Sequence, residues 1–295
     1  MEKYSKSKLV AKRYILVFAF IFLVILVYFG IYLFKMLTTD KVEYYEIDRV
    51  ASSASEEEAK KATPIIINNI LMGGVYNGKW VDSLKYYKYS ENKVGTEIDV
   101  FNEKGKNGTF KIDDIYTSSN KYDTVYVKII KNDYISEYYA LAKGVSGLNL
   151  GTKVNITKEN EKEYLDKAKR AISDYNYING SMKLQEAYNV GLSFENKYTL
   201  LFVTNDGHSD KGIYSAIVAI PNIGEPFCVR YNYYKDAKNA PDFEYYSFKF
   251  VGDLNSDGVS EIIVQATREF TTSYYVLELR NGKLKQILET TIIIN

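Results

Sequence analysis

The chain has 295 residues with 38 Lys and Arg against 37 Asp and Glu, one histidine, one cysteine and 29 tyrosines. A net charge of +1 provides no long-range field to gather nucleic acid, which is excluded as a partner. A single cysteine excludes an internal disulfide and a single histidine excludes a multi-histidine metal centre, so the fold must be held by packing, with help from a bound ion.

Residues 1–13 form a basic tail, with Lys3, Lys6, Lys8, Lys12 and Arg13 against Glu2. The run from Tyr14 to Phe34 then carries no charge. A helix over 14–36 is long enough to match a bilayer core of about 30 Å, and the preceding bases keep the tail in the cytoplasm. No small-x-small pair follows the run and the only cysteine is Cys228, which argues against a cleaved or lipidated signal. The expectation is a single-pass cell-membrane protein, anchored in the membrane through 14–36, with an extracytoplasmic C-terminal region.

Residues 37–63 are expected to be a flexible spacer, because RVASSASEEEAKKAT at 49–63 offers almost nothing to a core beyond a short helix over EEEAKKA. Pro64 closes it. A small antiparallel β domain is expected over 64–157. It begins with the apolar segment IIINNILM at 65–72, and Asn77-Gly78 between Tyr76 and Trp80 predicts a two-residue hairpin. Val81–Tyr89 suits a brief helix capped by Asp82 or Ser83. Period-two segments at Thr96–Phe101, Gly108–Ile115, Thr124–Ile130 and Tyr134–Leu141 predict four short strands in a small barrel or sheet.

A helix plus β domain is expected over 158–295. The spacing of Leu165, Ala168, Ile172 and Tyr175 predicts an amphipathic helix over 161–175 that lies against a sheet. Strand-like segments follow at Tyr198–Thr204, Gly212–Ile220, Phe227–Tyr234, Tyr245–Val251, Glu261–Thr267, Ser273–Leu279 and Leu284–Ile293, the last two joined through Asn281-Gly282. The polar turn TNDGHSDKG at 204–212, with Asn205, Asp206, His208 and Asp210, fits no metal template.

The one motif with chemistry in it is VGDLNSDGVSEIIV, with Asp253, Asn255, Asp257, Gly258 and Glu261 at positions 1, 3, 5, 6 and 9 of a loop. Alternate oxygen donors with a glycine at the bend let a short loop wrap one hard cation, with the Val259 carbonyl at position 7. Position 12 is Val264, which excludes an EF-hand. The segment 245–280 resembles the calcium loops of FG-GAP and VCBS-type β-repeat proteins. That resemblance implies a structural Ca²⁺ held by Asp253, Asn255, Asp257, Glu261 and the Val259 carbonyl, in a protein that binds surfaces and does not catalyse. The motif occurs once, which argues against a complete propeller.

No nucleophile–histidine arrangement is apparent: His208 sits in a polar turn, far in sequence from the only cysteine, Cys228. Taken together, the chain is expected to be mainly β: an N-terminal transmembrane helix, then an extracytoplasmic region of antiparallel sheets with one amphipathic helix. The expected function is a membrane-anchored binding or scaffold protein of a bacterial cell envelope, not an enzyme, with a cell-wall glycan or an envelope protein as partner. The alternative is a glycosidase-like, cell-wall-active hydrolase, because paired carboxylates can meet across a sheet from any sequence separation.

Overall fold

The structure is a computed structural model that describes Phe29 and residues 54–102, 104–118, 122–130, 137–144, 148–149, 151–173, 181–205, 212–234 and 240–294. The chain divides into units 1–43 and 44–295, and every element below belongs to the second.

Among the described residues no helix is long and apolar enough to cross a membrane. The longest helix described has 14 residues, KENEKEYLDKAKRA, and is charged along most of its surface. This corrects the transmembrane helix of the expected fold class, the single-pass topology, the membrane partner and the envelope location, and with them the membrane-anchored scaffold role, while the mainly β character stands. The apolar run 14–36 lies outside the described residues except for Phe29, which is helical and exposed.

The described fold of the second unit starts earlier than its sequence suggests. Helix α1 (Glu56–Lys61) is closed by a capping box in which Ser55 accepts from Glu58 N–H and the Glu58 carboxylate accepts from Ser55 N–H. Its small face, Ala54, Ala59 and Ala62, is buried in the same cluster as Ile66, Leu71 and Tyr86, so residues 54–63 are a wall of the fold and not spacer. Ser55→Ala is therefore expected to cost about 1 kcal/mol, and the Ala59 amide, bonded to the Ser55 carbonyl at 3.0 Å, should exchange slowly. Exchange at open-chain rates there would return the segment to a spacer.

Strand β1 (Thr63–Ile67) turns through Asn68 and Asn69, both at positive φ (47° and 68°), into β2 (Ile70–Tyr76). The apolar segment 65–72 is thus a tight hairpin, made possible because asparagine tolerates the left-handed region. Asn77 (φ 48°) and Gly78 (φ 70°) form the next turn, into β3 (Lys79–Asp82). Asp82 caps α2 (Ser83–Tyr87), whose Tyr86 packs over Gly74; a Cβ there would lie 2.5 Å from the ring. Strands β4 (Glu97–Asn102), β5 (Gly105–Thr117), β6 (Val125–Ile130) and β7 (Tyr139–Ala142) follow. The order β1-β7-β4-β5-β6-β2, with β1 also paired to β2, closes a six-stranded antiparallel barrel, and β3 adds to β2 outside the closure. Ile98, Val100, Ile112, Val125, Val127 and Ala140 fill it.

The chain then leaves through two short bridging strands, β8 (Leu148–Asn149) and β9 (Thr152–Lys153), which pair with different sheets. Helix α3 (Lys158–Ala171) starts three residues before the predicted 161 because Thr157 and Asn160 cap each other's backbone. Ala168 and Ile172 are buried as the stripe predicts; Tyr175 lies outside the described residues. Strand β10 (Met182–Gly191), with its polar-rich sequence MKLQEAYNVG, does not show a clear strand pattern by composition, but it pairs along its length with β11 (Lys197–Asn205). With β12 (Ile213–Pro221) and β13 (Phe227–Tyr234) these make one five-stranded sheet, ordered β13-β12-β11-β10-β9. The other contains β14 (Tyr245–Gly252), β15 (Glu261–Thr267), β16 (Thr271–Arg280) and β17 (Lys283–Ile293), ordered β17-β16-β15-β14-β8. The β16–β17 turn is Asn281 (φ 52°) and Gly282 (φ 75°).

These parts stack in layers. Phe250, Ile263, Tyr274, Val276 and Leu288 face the barrel residues Ile65, Ile67, Met72 and Trp80. Val251, Ile262, Val264, Tyr275 and Leu277 face Leu200, Phe202, Ile217 and Val229 of the other sheet. The far side of that sheet, Leu201, Val203, Tyr214 and Val218, covers α3. The β14–β17 sheet is therefore buried on both faces, which explains why β15 carries the consecutive apolar residues Ile262, Ile263 and Val264 instead of alternating. Tyrosine serves this packing: Tyr86, Tyr138, Tyr214, Tyr231 and Tyr275 are among the largest fully buried side chains.

Candidate metal centre

The loop 253–260 joins β14 to β15, and its own side chains hold its backbone. Asp253 accepts from Asp257 N–H (3.2 Å) and Gly258 N–H (3.0 Å) through different oxygens. Asn255 Oδ1 accepts from Asp257 N–H at 2.9 Å, and Asp257 Oδ1 accepts from Val259 N–H at 2.8 Å. Ser256 (φ 61°) and Gly258 (φ 85°) turn the chain.

Glu261 opens β15 on the barrel-facing side, the side also used by Ile263. Antiparallel pairing of Ile262 with Leu277 brings Glu278 of β16 next to it, one step further along the ladder. Asp257, Glu261 and Glu278 each present an oxygen within 4.8 Å of the others. Asp257 is exposed, whereas Glu261 is fully buried and Glu278 nearly so. The protein thus contains an acidic cluster able to hold a metal ion.

Each oxygen of this cluster has a different neighbourhood. Glu278 Oε1 accepts from Trp80 Nε1 of the barrel at 3.1 Å and from Asn255 Nδ2 at 3.3 Å, while Arg280 meets its Oε2. Asn255 Nδ2 also donates to Asp257 Oδ2 at 3.0 Å, so its amide bridges two of the three carboxylates. Glu261 Oε2 accepts from Leu254 N–H at 2.8 Å, but Oε1 is buried with no hydrogen-bond partner. Burial pushes the Glu261 carboxyl up to about 9, helped by the negative charges of Asp257, Glu278 and Asp253 and opposed by the Leu254 N–H. A cation beside this buried acid would offset its desolvation, its like-charged neighbours and its orphaned oxygen together.

Of the residues predicted from spacing, Asp257 and Glu261 enter the cluster, and Asn255 touches it through its amide nitrogen. Asp253 lies outside the trio with both oxygens on loop N–H groups. Val259 contributes an N–H to Asp257. Glu278 is not visible in the motif because it comes from the neighbouring strand; a lone acid in the apolar run YYVLEL is the signal that could have pointed to it. Of the polar turn at 204–212, Asp206, His208 and Asp210 lie outside the described residues, and Asn205 binds the Gly212 carbonyl and the Tyr214 N–H.

The chain matches no protein-family model, no curated protein and no solved structure in the comparisons made.

A second buried acid shows what a satisfied carboxylate looks like in the same molecule. Glu244, just ahead of β14, is fully buried. Its Oε2 accepts from Tyr246 O–H (2.6 Å) and Arg230 Nε (3.2 Å), and its Oε1 from Tyr275 O–H (2.7 Å) and Arg268. Arg230 lies 3.8 Å from the Tyr275 ring centroid and donates to Gln286 at 2.6 Å. Burial raises the Glu244 carboxyl, but Arg230, Tyr246, Arg268 and Tyr275 outweigh it, and the net shift is downward. With both oxygens filled by donors from β13, β14, β16 and the end of β15, Glu244 is a bolt between the two sheets and has no lone pair left for a ligand.

Proposed function

We propose that this protein is a calcium-binding β protein in which the ion has a structural role and the chain performs no catalysis of its own. The observation that carries the proposal is the orphaned Glu261 Oε1, buried between Asp257 and Glu278. The donors are all hard oxygens, which suits calcium or magnesium better than a soft-ligand metal. Calcium is favoured over magnesium because the donors come from a bent loop and a neighbouring strand, and calcium tolerates irregular shells of six to eight oxygens. Resemblance of 245–280 to the FG-GAP and VCBS-type calcium loops supports the same ion. Asp257, Glu261 and Glu278 would hold it directly. Asn255 joins by turning its amide oxygen inward, and the Val259 carbonyl and Asp253 complete the set. Bound there, the ion would neutralise the carboxylates and fix the β14–β15 turn.

Loops of this kind on extracellular modules bind with Kd of about 10⁻⁴ to 10⁻³ M. At 1 mM calcium and a Kd near 0.1 mM, linkage adds about 1.4 kcal/mol to stability. Titration calorimetry on the full chain is expected to give one saturable binding event, and chelation to lower the Tm without unfolding the protein at 25 °C. Asp257→Ala should remove both effects. Magnesium should substitute poorly, since it surrenders its waters reluctantly. Absence of binding heat together with an unchanged Tm at 5 mM calcium would reduce the loop to an acidic turn.

A further inference from the structure

We infer that the cation site is a latch through which ion binding controls how firmly the barrel docks on the β14–β17 sheet. The inference rests on the calcium reading and goes beyond it, from a local loop staple to long-range regulation. Three observations support it. The cluster lies on the barrel-facing side of its sheet, the side of Ile263, Tyr274 and Val276. Glu278, one of its three carboxylates, accepts the indole N–H of Trp80, 198 residues away in sequence, at 3.1 Å. The same Glu278 oxygen also accepts from the Asn255 amide, so the loop, the strand β16 and the strand β3 paired to the barrel's β2 meet on one atom.

The physical chain is short. Without a cation, Glu278 shares a small volume with Asp257 and with the unsatisfied oxygen of Glu261, and repulsion between the Asp257 and Glu278 carboxylates favours any motion that separates β16 from the loop. A bound cation reverses the sign of that interaction and holds Glu278 in the position from which it accepts from Trp80. Trp80 is 4 % exposed and packs in the apolar cluster shared by barrel and sheet, so holding its indole holds β2 and β3 against β16 and β17. Asn255, whose amide bridges Asp257 and Glu278, must rotate as the ion enters. This transfers Glu278 Oε1 from a shared hydrogen bond to an ion-fixed one.

Trp80 is the only tryptophan, so its emission reports on the latch directly. Calcium added to chelated full-length protein is expected to shift the emission to the blue, because neutralising a carboxylate at the pyrrole N–H removes stabilisation of the excited state. The shift should saturate together with the binding heat. At ten times Kd, amide exchange in β1–β3 should slow about elevenfold where opening requires ion release. Trp80→Phe should still bind calcium by calorimetry while losing the slowing in β1–β3. If that variant fails to fold, the wild-type exchange measurement decides alone. Binding heat with unchanged emission and unchanged β1–β3 exchange overturns the latch and leaves the calcium site standing. Absence of heat overturns both.

Discussion

In calcium-free buffer at neutral pH, Glu261→Gln is expected to stabilise the protein, by about 3 kcal/mol if the whole proton-linkage penalty is relieved. The sign follows from the shift: the Glu261 carboxyl stands at about 9 in the fold against an ordinary 4.5. Between these values the folded state retains a proton that the unfolded state has released. Stability attributable to Glu261 is thus full below pH 4.5, falls as pH rises, and is lost by pH 9. Glutamine keeps an acceptor for the Leu254 N–H and turns an amide donor toward Asp257 and Glu278, so its pH slope should be flatter. In saturating calcium the order reverses, because the variant has lost a ligand. Denaturant unfolding from pH 5 to 9, with chelator and with calcium, measures all of this. A variant less stable than wild type in chelator at pH 7 would mean that the Glu261 charge already has a partner.

Glu244→Ala should have the opposite sign and a larger size, costing about 3 to 5 kcal/mol, because it leaves Arg230 and Arg268 buried without their acid. Both arginines are shielded, with side-chain exposures of 13% and 15%, so solvent cannot compensate fully. Tyr246→Phe and Tyr275→Phe each remove one donor and should cost less, about 1 to 2 kcal/mol. The Glu244 carboxyl is held below its ordinary value, so its contribution is present above pH 4.5 and is lost as pH falls below it. Chemical denaturation at pH 7 and pH 3.5 tests both statements. A loss under 1 kcal/mol for Glu244→Ala at pH 7 would show that the sheets do not depend on this bolt. The contrast between the two acids is the physical basis for assigning the metal centre: both are fully buried, but Glu244 has two arginines and two phenols, whereas Glu261 has one N–H and three negative neighbours.

Local chemistry alone determined much of this protein. Asn77-Gly78 and Asn281-Gly282 specify hairpins because both central residues must take positive φ. The alternation in 245–251 and the apolar residues 262–264 specify the strands that became β14 and β15, and the spacing of Ala168 and Ile172 specifies the buried stripe of α3. The donor spacing of Asp253, Asn255, Asp257 and Glu261 marks the loop as cation chemistry. All of these are properties of neighbours within a few residues. Tertiary structure decided the rest. Ala54, Ala59 and Ala62 look like spacer until the barrel supplies the surface that buries them, and MKLQEAYNVG becomes a strand only because β11 pairs with it. Asp253 and Glu278 exchange importance for the same reason. Within the loop, the backbone N–H groups of Asp257 and Gly258 claim the Asp253 carboxylate, whereas antiparallel register between β15 and β16 carries Glu278 to Glu261 and presents it to Trp80 across the barrel interface. Spacing along the chain cannot encode that meeting, because register is set by which apolar faces are buried, and those faces exist only once the barrel and the two sheets are stacked.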